Sequence, residues 1–181
     1  MNARYALLFL ALALVGCGSS GTQTYTDGKG NEVKVSGDGT KITGTDADGK
    51  TTTVETKDGD TTLKSSDGTS ATMGTSPTED ELGLAYYPGS EEVAGQGMKA
   101  ESPQEKNYMS LRTTADAPEK VIAFYTGKIK EPNVGSNQNP DGTMIVVSGK
   151  NEKGGVVTLA VSRSKSETKT TINMGISYKT K

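Results

Sequence analysis

The sequence predicts two unlike parts. One is an α+β C-terminal domain, an antiparallel sheet with one packed helix. It is preceded by a polar β-meander or partly disordered Asp-Gly repeat. Three observations carry this reading. Ile172, Met174, Ile176 and Tyr178 alternate with polar residues, the period of a half-buried strand. Val121, Ile122, Tyr125 and Ile129 recur at helical spacing, with Phe124 at the edge of the stripe. Asp-Gly recurs at Asp27-Gly28, Asp38-Gly39, Asp48-Gly49, Asp58-Gly59 and Asp67-Gly68, at spacings of 11, 10, 10 and 9 residues. A fixed period marks a repeated supersecondary unit.

Residues 1–16 read as a signal peptide. Arg4 supplies a positive start and Tyr5 to Val15 is almost wholly apolar. Eleven helical residues rise about 16 Å, too little for a hydrocarbon core of about 30 Å. A short apolar stretch between a positive start and small residues is the pattern of a secretory signal. Its end, Leu14-Val15-Gly16-Cys17, resembles the lipobox of bacterial lipoproteins. The resemblance implies that the Cys17 thiol carries a diacylglycerol, that cleavage falls just before it, and that the new N-terminus is acylated. Two or more acyl chains hold a protein stably on a membrane where one does not. In Gram-negative lipoproteins an Asp after the cysteine favours the inner membrane; Gly18 therefore points to the outer membrane. Residues 17–24 are then a lipid-anchored tether, Gly-Ser-Ser-Gly-Thr-Gln-Thr after the cysteine, with no apolar residue.

Residues 25–76 form the Thr/Gly-rich repeat, which we expect to be short strands. Residues 21–76 contain 15 Thr and 10 Gly, and their large apolar residues are only Tyr25, Val33, Val35, Ile42, Val54, Leu63 and Met73. Asp-Gly is a hairpin signal because both residues tolerate positive φ. The Thr- and Val-containing runs between the turns favour extended backbone. Seven side chains at about 1.5–3 kcal/mol each cannot offset the backbone ordering of this segment at about 1–2 kcal/mol per residue. The repeat is therefore expected to be a single layer, the least stable part of the chain, and a spacer.

Pro77 and Glu79-Asp80-Glu81 mark a boundary, and residues 79–181 read as the α+β domain. Val93 to Ala100 and the face shared by Met109, Leu111 and Thr113 suggest strands. Asp116 and Glu119 have capping-box spacing, and Pro118 suits a first helical turn. Pro132 is expected to end that helix. Met144–Val147, Val156–Val161 and Ile172–Tyr178, separated by Gly-containing turns, predict an antiparallel meander with the second strand central. Leu82-Gly-Leu-Ala-Tyr86-Tyr-Pro-Gly89 followed by Thr113-Thr-Ala-Asp-Ala-Pro-Glu-Lys-Val-Ile-Ala-Phe-Tyr125 resembles an uncharacterised domain of bacterial lipoproteins, which has a Gly-x-x-x-Tyr-Pro-Gly opening and a Pro-Glu-Lys-Val-x-x-Phe-Tyr helix. That family implies no activity.

Composition excludes much chemistry. The chain of 181 residues has no His and one Cys, so a His-based triad, a His metal site and an internal disulfide are all excluded. A net charge of -2 leaves no basic face for nucleic acid. Gly44-Thr-Asp46-Ala-Asp48-Gly49 with Glu55 overlays part of a calcium loop, but its first ligand position is Gly44, so it reads as a solvated turn. Ser162-x-x-Lys165 and Ser166-x-x-Lys169 fall at a strand end and a polar turn rather than on a helix in a deep site. Tyr86, Tyr87 and Tyr108 could line a glycan or peptide surface but fit the edge of a core. No catalytic residue, metal or cofactor is expected. The expected role is a membrane-anchored envelope lipoprotein acting as a structural or interaction module, with an envelope protein as partner beside the membrane itself. The alternative is a tethered binding domain for a small molecule, glycan or peptide.

Overall fold

The computed structural model describes residues 21–180. It is mostly β: thirteen strands and two short helices among the described residues. The chain divides into two compact units, Met1–Ala71 and Thr72–Lys181.

The described part of the first unit is an antiparallel meander of β1 (Gln23–Thr26), β2 (Glu32–Val35), β3 (Lys41–Thr45), β4 (Thr51–Lys57) and β5 (Asp60–Ser65). Register places Val35, Ile42, Val54 and Leu63 in one row across four strands, with Tyr25 and Val33 paired in the next row of that face. The opposite face carries Lys34, Thr43, Thr53 and Lys64. No described residue of this unit is buried, so it is a single layer held by its ladder and turns. β6 (Ser70–Gly74) straddles the division between the units.

Every Asp-Gly pair lies at a turn, but only Asp58-Gly59 is the two-residue turn with both φ positive, at 53° and 90°. The other four turns share a different plan. An Asp or Ser opens the turn, and its carbonyl accepts from the amide of a glycine three residues on: Gly30 to Asp27, Gly39 to Ser36, Gly49 to Asp46 and Gly68 to Ser65. That closing position has φ from 71° to 87°, which only glycine adopts freely. An Asp carboxylate then accepts the amide two residues ahead, as Asp27 does from Lys29 and Asp38 from Thr40. The aspartates thus act through their side chains, the competition with backbone pairing that favours Asp in turns.

These bonds predict an acid response. The Ser36 hydroxyl, 2.5 Å from Asp38 Oδ1, and the Thr40 amide hold the Asp38 carboxyl down at about 2. The Asn31 side chain and the Thr69 amide likewise lower Asp27 and Asp67. A lowered folded-state pKa contributes stability that is complete above the unfolded value near 3.8 and lost as pH falls towards the folded value. Protection of the Thr40 amide, its exchange rate relative to the intrinsic rate at each pH, should therefore fall between about pH 4 and pH 2, and Asp38→Asn should flatten that response. An unchanged Thr40 exchange profile in the variant would refute the assignment.

The second unit adds α1 (Glu79–Leu82), β7 (Glu91–Glu92), β8 (Gly97–Glu101), β9 (Glu105–Thr114), α2 (Pro118–Thr126), β10 (Lys130–Asn139), β11 (Gly142–Lys150), β12 (Val156–Ser164) and β13 (Thr170–Lys179). Its strand order is β8-β9-β13-β12-β11-β10, all antiparallel, with β7 also paired to β9. The expected β11-β12-β13 meander is present, with β12 between its neighbours. Two rows run across one face: Ser110, Met174, Leu159, Val147 and Val134; then Arg112, Ile172, Val161, Ile145 and Ser136. Leu159, Val161 and Val147 are fully buried there, with Val121, Ile122 and Tyr125 of α2 and Leu82 of α1 also in the core. The apolar run Val156–Val161 is buried only at alternate positions, since Val156 is 54% exposed.

One expectation is narrowed and two are corrected. The antiparallel sheet with a packed helix is present, but the protein is mostly β: α2 has nine residues and α1 four, against long strands. Asp116 does not cap α2. The cap is Ala117 with no side-chain bond, because Pro118 takes the first helical position and leaves Asp116 one residue too early. Pro132 does not end the helix, which stops at Thr126 before Gly127. Pro132 lies instead in β10, a terminal strand where its missing N–H is tolerated, beside a register shift between Lys130 and Asn133 and a positive φ of 51° at Glu131.

Candidate functional site

Cys17 and Gly18, on which the anchoring expectation rests, lie outside the described residues. The polar and aromatic side chains that remain gather around the segment 77–90 and the strand ends it meets.

Pro77 leads into a reciprocal cap. The Glu81 amide donates to Thr78 Oγ1 at 3.2 Å, and the Thr78 amide donates to Glu81 Oε2 at 2.7 Å. The stretch Glu79-Asp80-Glu81 is therefore the first turn of α1, where acidic side chains complement the exposed amides. Lys99 on β8 binds Glu81 at 2.7 Å, and its ammonium holds the Glu81 carboxyl below its ordinary range. At the other end of α1, Tyr178 donates its hydroxyl proton to Leu82 O at 2.8 Å. Asn151 Nδ2 donates to the same carbonyl at 2.7 Å and to the Tyr178 oxygen at 2.6 Å. Asn151 Oδ1 in turn accepts the Gly155 amide at 2.8 Å. Asn151 is buried, so these bonds place the β11–β12 turn against α1.

The hydroxyls of Tyr86, Tyr87 and Tyr108 are engaged, whereas that of buried Tyr125 has no hydrogen-bond partner among the described residues. Tyr86 donates its hydroxyl to Pro77 O, and the Arg112 guanidinium stacks 4.1 Å from its ring centroid. Arg112 also donates to Ser90 Oγ and O at 2.8 and 2.6 Å. Tyr87 donates to Asp116 Oδ2 at 2.7 Å, and its ring meets Phe124 edge-on at 5.4 Å. Lys120 binds Asp116 Oδ1 at 3.0 Å. The Tyr87 bond lowers the Asp116 carboxyl and raises the Tyr87 phenol. Both shifts lead away from neutrality, so neither group is poised to exchange a proton near neutral pH. Arg163 Nη2 reaches the carbonyls of Ala115 and Asp116 at 2.6 and 2.7 Å, fixing the entry to α2. Tyr108 donates to Glu101 Oε1 at 2.6 Å; burial, then this carboxylate, raises its phenol far above the ordinary range. Tyr87 and Tyr108 are only 6% exposed, so core edges rather than a ligand platform describe them.

The remaining motifs do not converge. Asp46 Oδ1 accepts the amides of Asp48 and Lys50, and Glu55 pairs with Lys41 at the far end of the β3–β4 ladder. Lys169 is engaged with Glu91 at 2.6 Å, and Ser166 shares a contact with Ser164 at 3.0 Å. Among the described residues no group of three or more His, Cys, Asp and Glu could hold a metal ion, and no helix is long and apolar enough to cross a membrane.

Sequence reasoning missed Arg112, Asn151 and Arg163. A signal existed for Arg112 and Arg163: each stands on the core face of its strand, in step with Tyr108 and Ser110 or with Leu159 and Val161. A charge at such a position needs a specific partner. Asn151 had none, because its role depends on a carbonyl 69 residues away.

The fold and this network define a mostly β protein whose second unit carries its helices on one face of an antiparallel sheet. No family model, curated protein or solved structure matches the chain.

Proposed function

We propose that the chain is a bacterial envelope lipoprotein, anchored through a lipid on Cys17 and acting as a structural or interaction module. The observation that carries this is Leu14-Val15-Gly16-Cys17 closing an apolar stretch of signal length, with the only cysteine of the chain at its end. Its resemblance to lipoprotein domains over about residues 81–181 belongs to the same proposal. The module half of the reading is supported by the use made of polar side chains. Arg112, Asp116, Asn151 and Tyr108 each hold neighbouring segments together through the bonds they make. In chain order the single-layer meander separates the anchor from the second unit, as a spacer would. Gly18 after the cysteine favours the outer membrane.

Intact-mass measurement tests this directly. The native protein should lack residues 1–16 and carry the mass of a diacylglycerol and an N-acyl group, and Cys17→Ser should leave an unlipidated, uncleaved or soluble chain. Gly18→Asp should move the lipidated protein to the inner-membrane fraction. A free Cys17 thiol on an unmodified chain would overturn the assignment.

A further inference from the structure

The outer side of β10 is the feature the observations carry furthest. β10 ends the strand order of its unit, and no described strand pairs with its free side. Residues 131–138 are all exposed. A free strand edge offers a row of backbone donors and acceptors to any other strand, and proteins blunt it with prolines, bulges and charges. All three devices occur here, confined to one end: Pro132, the register shift between Lys130 and Asn133, and the charge and positive φ of Glu131. From Asn133 to Asn139 there is no charge and no proline; the next proline is Pro140. Seven residues at about 3.4 Å each give an unprotected edge of roughly 24 Å. Val134 is 48% exposed although it stands on the core face, in register with fully buried Val147.

We propose that this segment pairs, antiparallel, with the same segment of a second copy of the chain about a two-fold axis perpendicular to the sheet. Such an axis sets residue i opposite j and j opposite i, so a segment suits itself when no like charges meet. Centred on Ser136, the pairing sets Val134 opposite Gln138 and Gly135 opposite Asn137, all uncharged. The axis keeps faces matched, so Val134 gains cover on the side where Val147 lies. A foreign strand selected by charge would find none to read between Asn133 and Asn139, whereas a two-fold pair needs none. An edge contact of this length buries less than the roughly 1,200–2,000 Å² of a stable interface, so the dimer is weak in dilute solution and fills as copies are concentrated on a shared surface.

The test uses the full chain carrying Cys17→Ser in detergent, followed by sedimentation equilibrium from micromolar to millimolar protein. A monomer–dimer equilibrium is expected, and Val134→Lys should weaken it at least about tenfold while leaving the circular dichroism unchanged. In the same background, Ser136→Cys should cross-link under mild oxidation at least about tenfold faster than Thr158→Cys, an exposed position inside the sheet. A monomer at every concentration, a dimer indifferent to Val134→Lys, or equal cross-linking of the two cysteines would each overturn the proposal.

Discussion

Replacing Leu159 with Ala is expected to cost the second unit about 2–5 kcal/mol, the largest loss of any single truncation considered. Leu159 is fully buried in β12, between Val147 of β11 and Met174 of β13. Two paired neighbours keep the backbone from closing on the gap, so both the transfer term and the cavity term are lost. Val156→Ala on the same strand is the control: that side chain is 54% exposed, and its truncation should change stability by no more than about 0.5 kcal/mol. Urea unfolding followed by tyrosine fluorescence reads both. Equal midpoints for the two variants would contradict the one-sided burial of β12.

Asn151→Ala is expected to follow, at about 3 kcal/mol, from unmet polar groups rather than lost apolar area. The substitution removes a donor from Leu82 O and from the Tyr178 oxygen, and it strands the Gly155 amide. The Tyr178 hydroxyl still reaches Leu82 O at 2.8 Å, so the carbonyl keeps one partner. Tyr178→Phe should therefore couple to Asn151→Ala in a double-mutant cycle, by about 0.5–3 kcal/mol. Gly155 is a second check, because its amide should exchange faster in Asn151→Ala. Additive single effects would mean that Asn151 and Tyr178 act on Leu82 independently.

Legibility tracked how local each determinant was. The β13 alternation of Ile172, Met174, Ile176 and Tyr178 was plain because period 2 survives wherever one face is buried. The α2 stripe is plain too, but its ends are not: the Asp116–Glu119 spacing fits a cap, and only the Tyr87 hydroxyl and the Lys120 ammonium reveal where that carboxylate goes. Thr78 and Glu81 were the converse. Their capping-box spacing is present in the sequence but merges into an acidic boundary, since a four-residue helix has no stripe to announce it. β10 was invisible as a strand because Asn-Val-Gly-Ser-Asn-Gln-Asn has almost no extended-backbone preference; its partner β11 and the register with Met144 to Ser148 impose it.

The turns of the first unit and the candidate site of the second show the same divide. The Asp-Gly period showed where the first unit turns, and the sparse apolar side chains showed that it could not build a core. Both are properties of composition and spacing, which chain order alone contains. What composition did not contain is which aspartate braces which amide. Asp46, not Asp48, accepts in the third turn, and Gly30, not Gly28, closes the first. Arg112 over Tyr86, Arg163 on the α2 entry and Asn151 on Leu82 were decided only in the folded unit. Each joins groups far apart in sequence, and the energy of such a contact depends on burial and distance that exist only after the strands have paired.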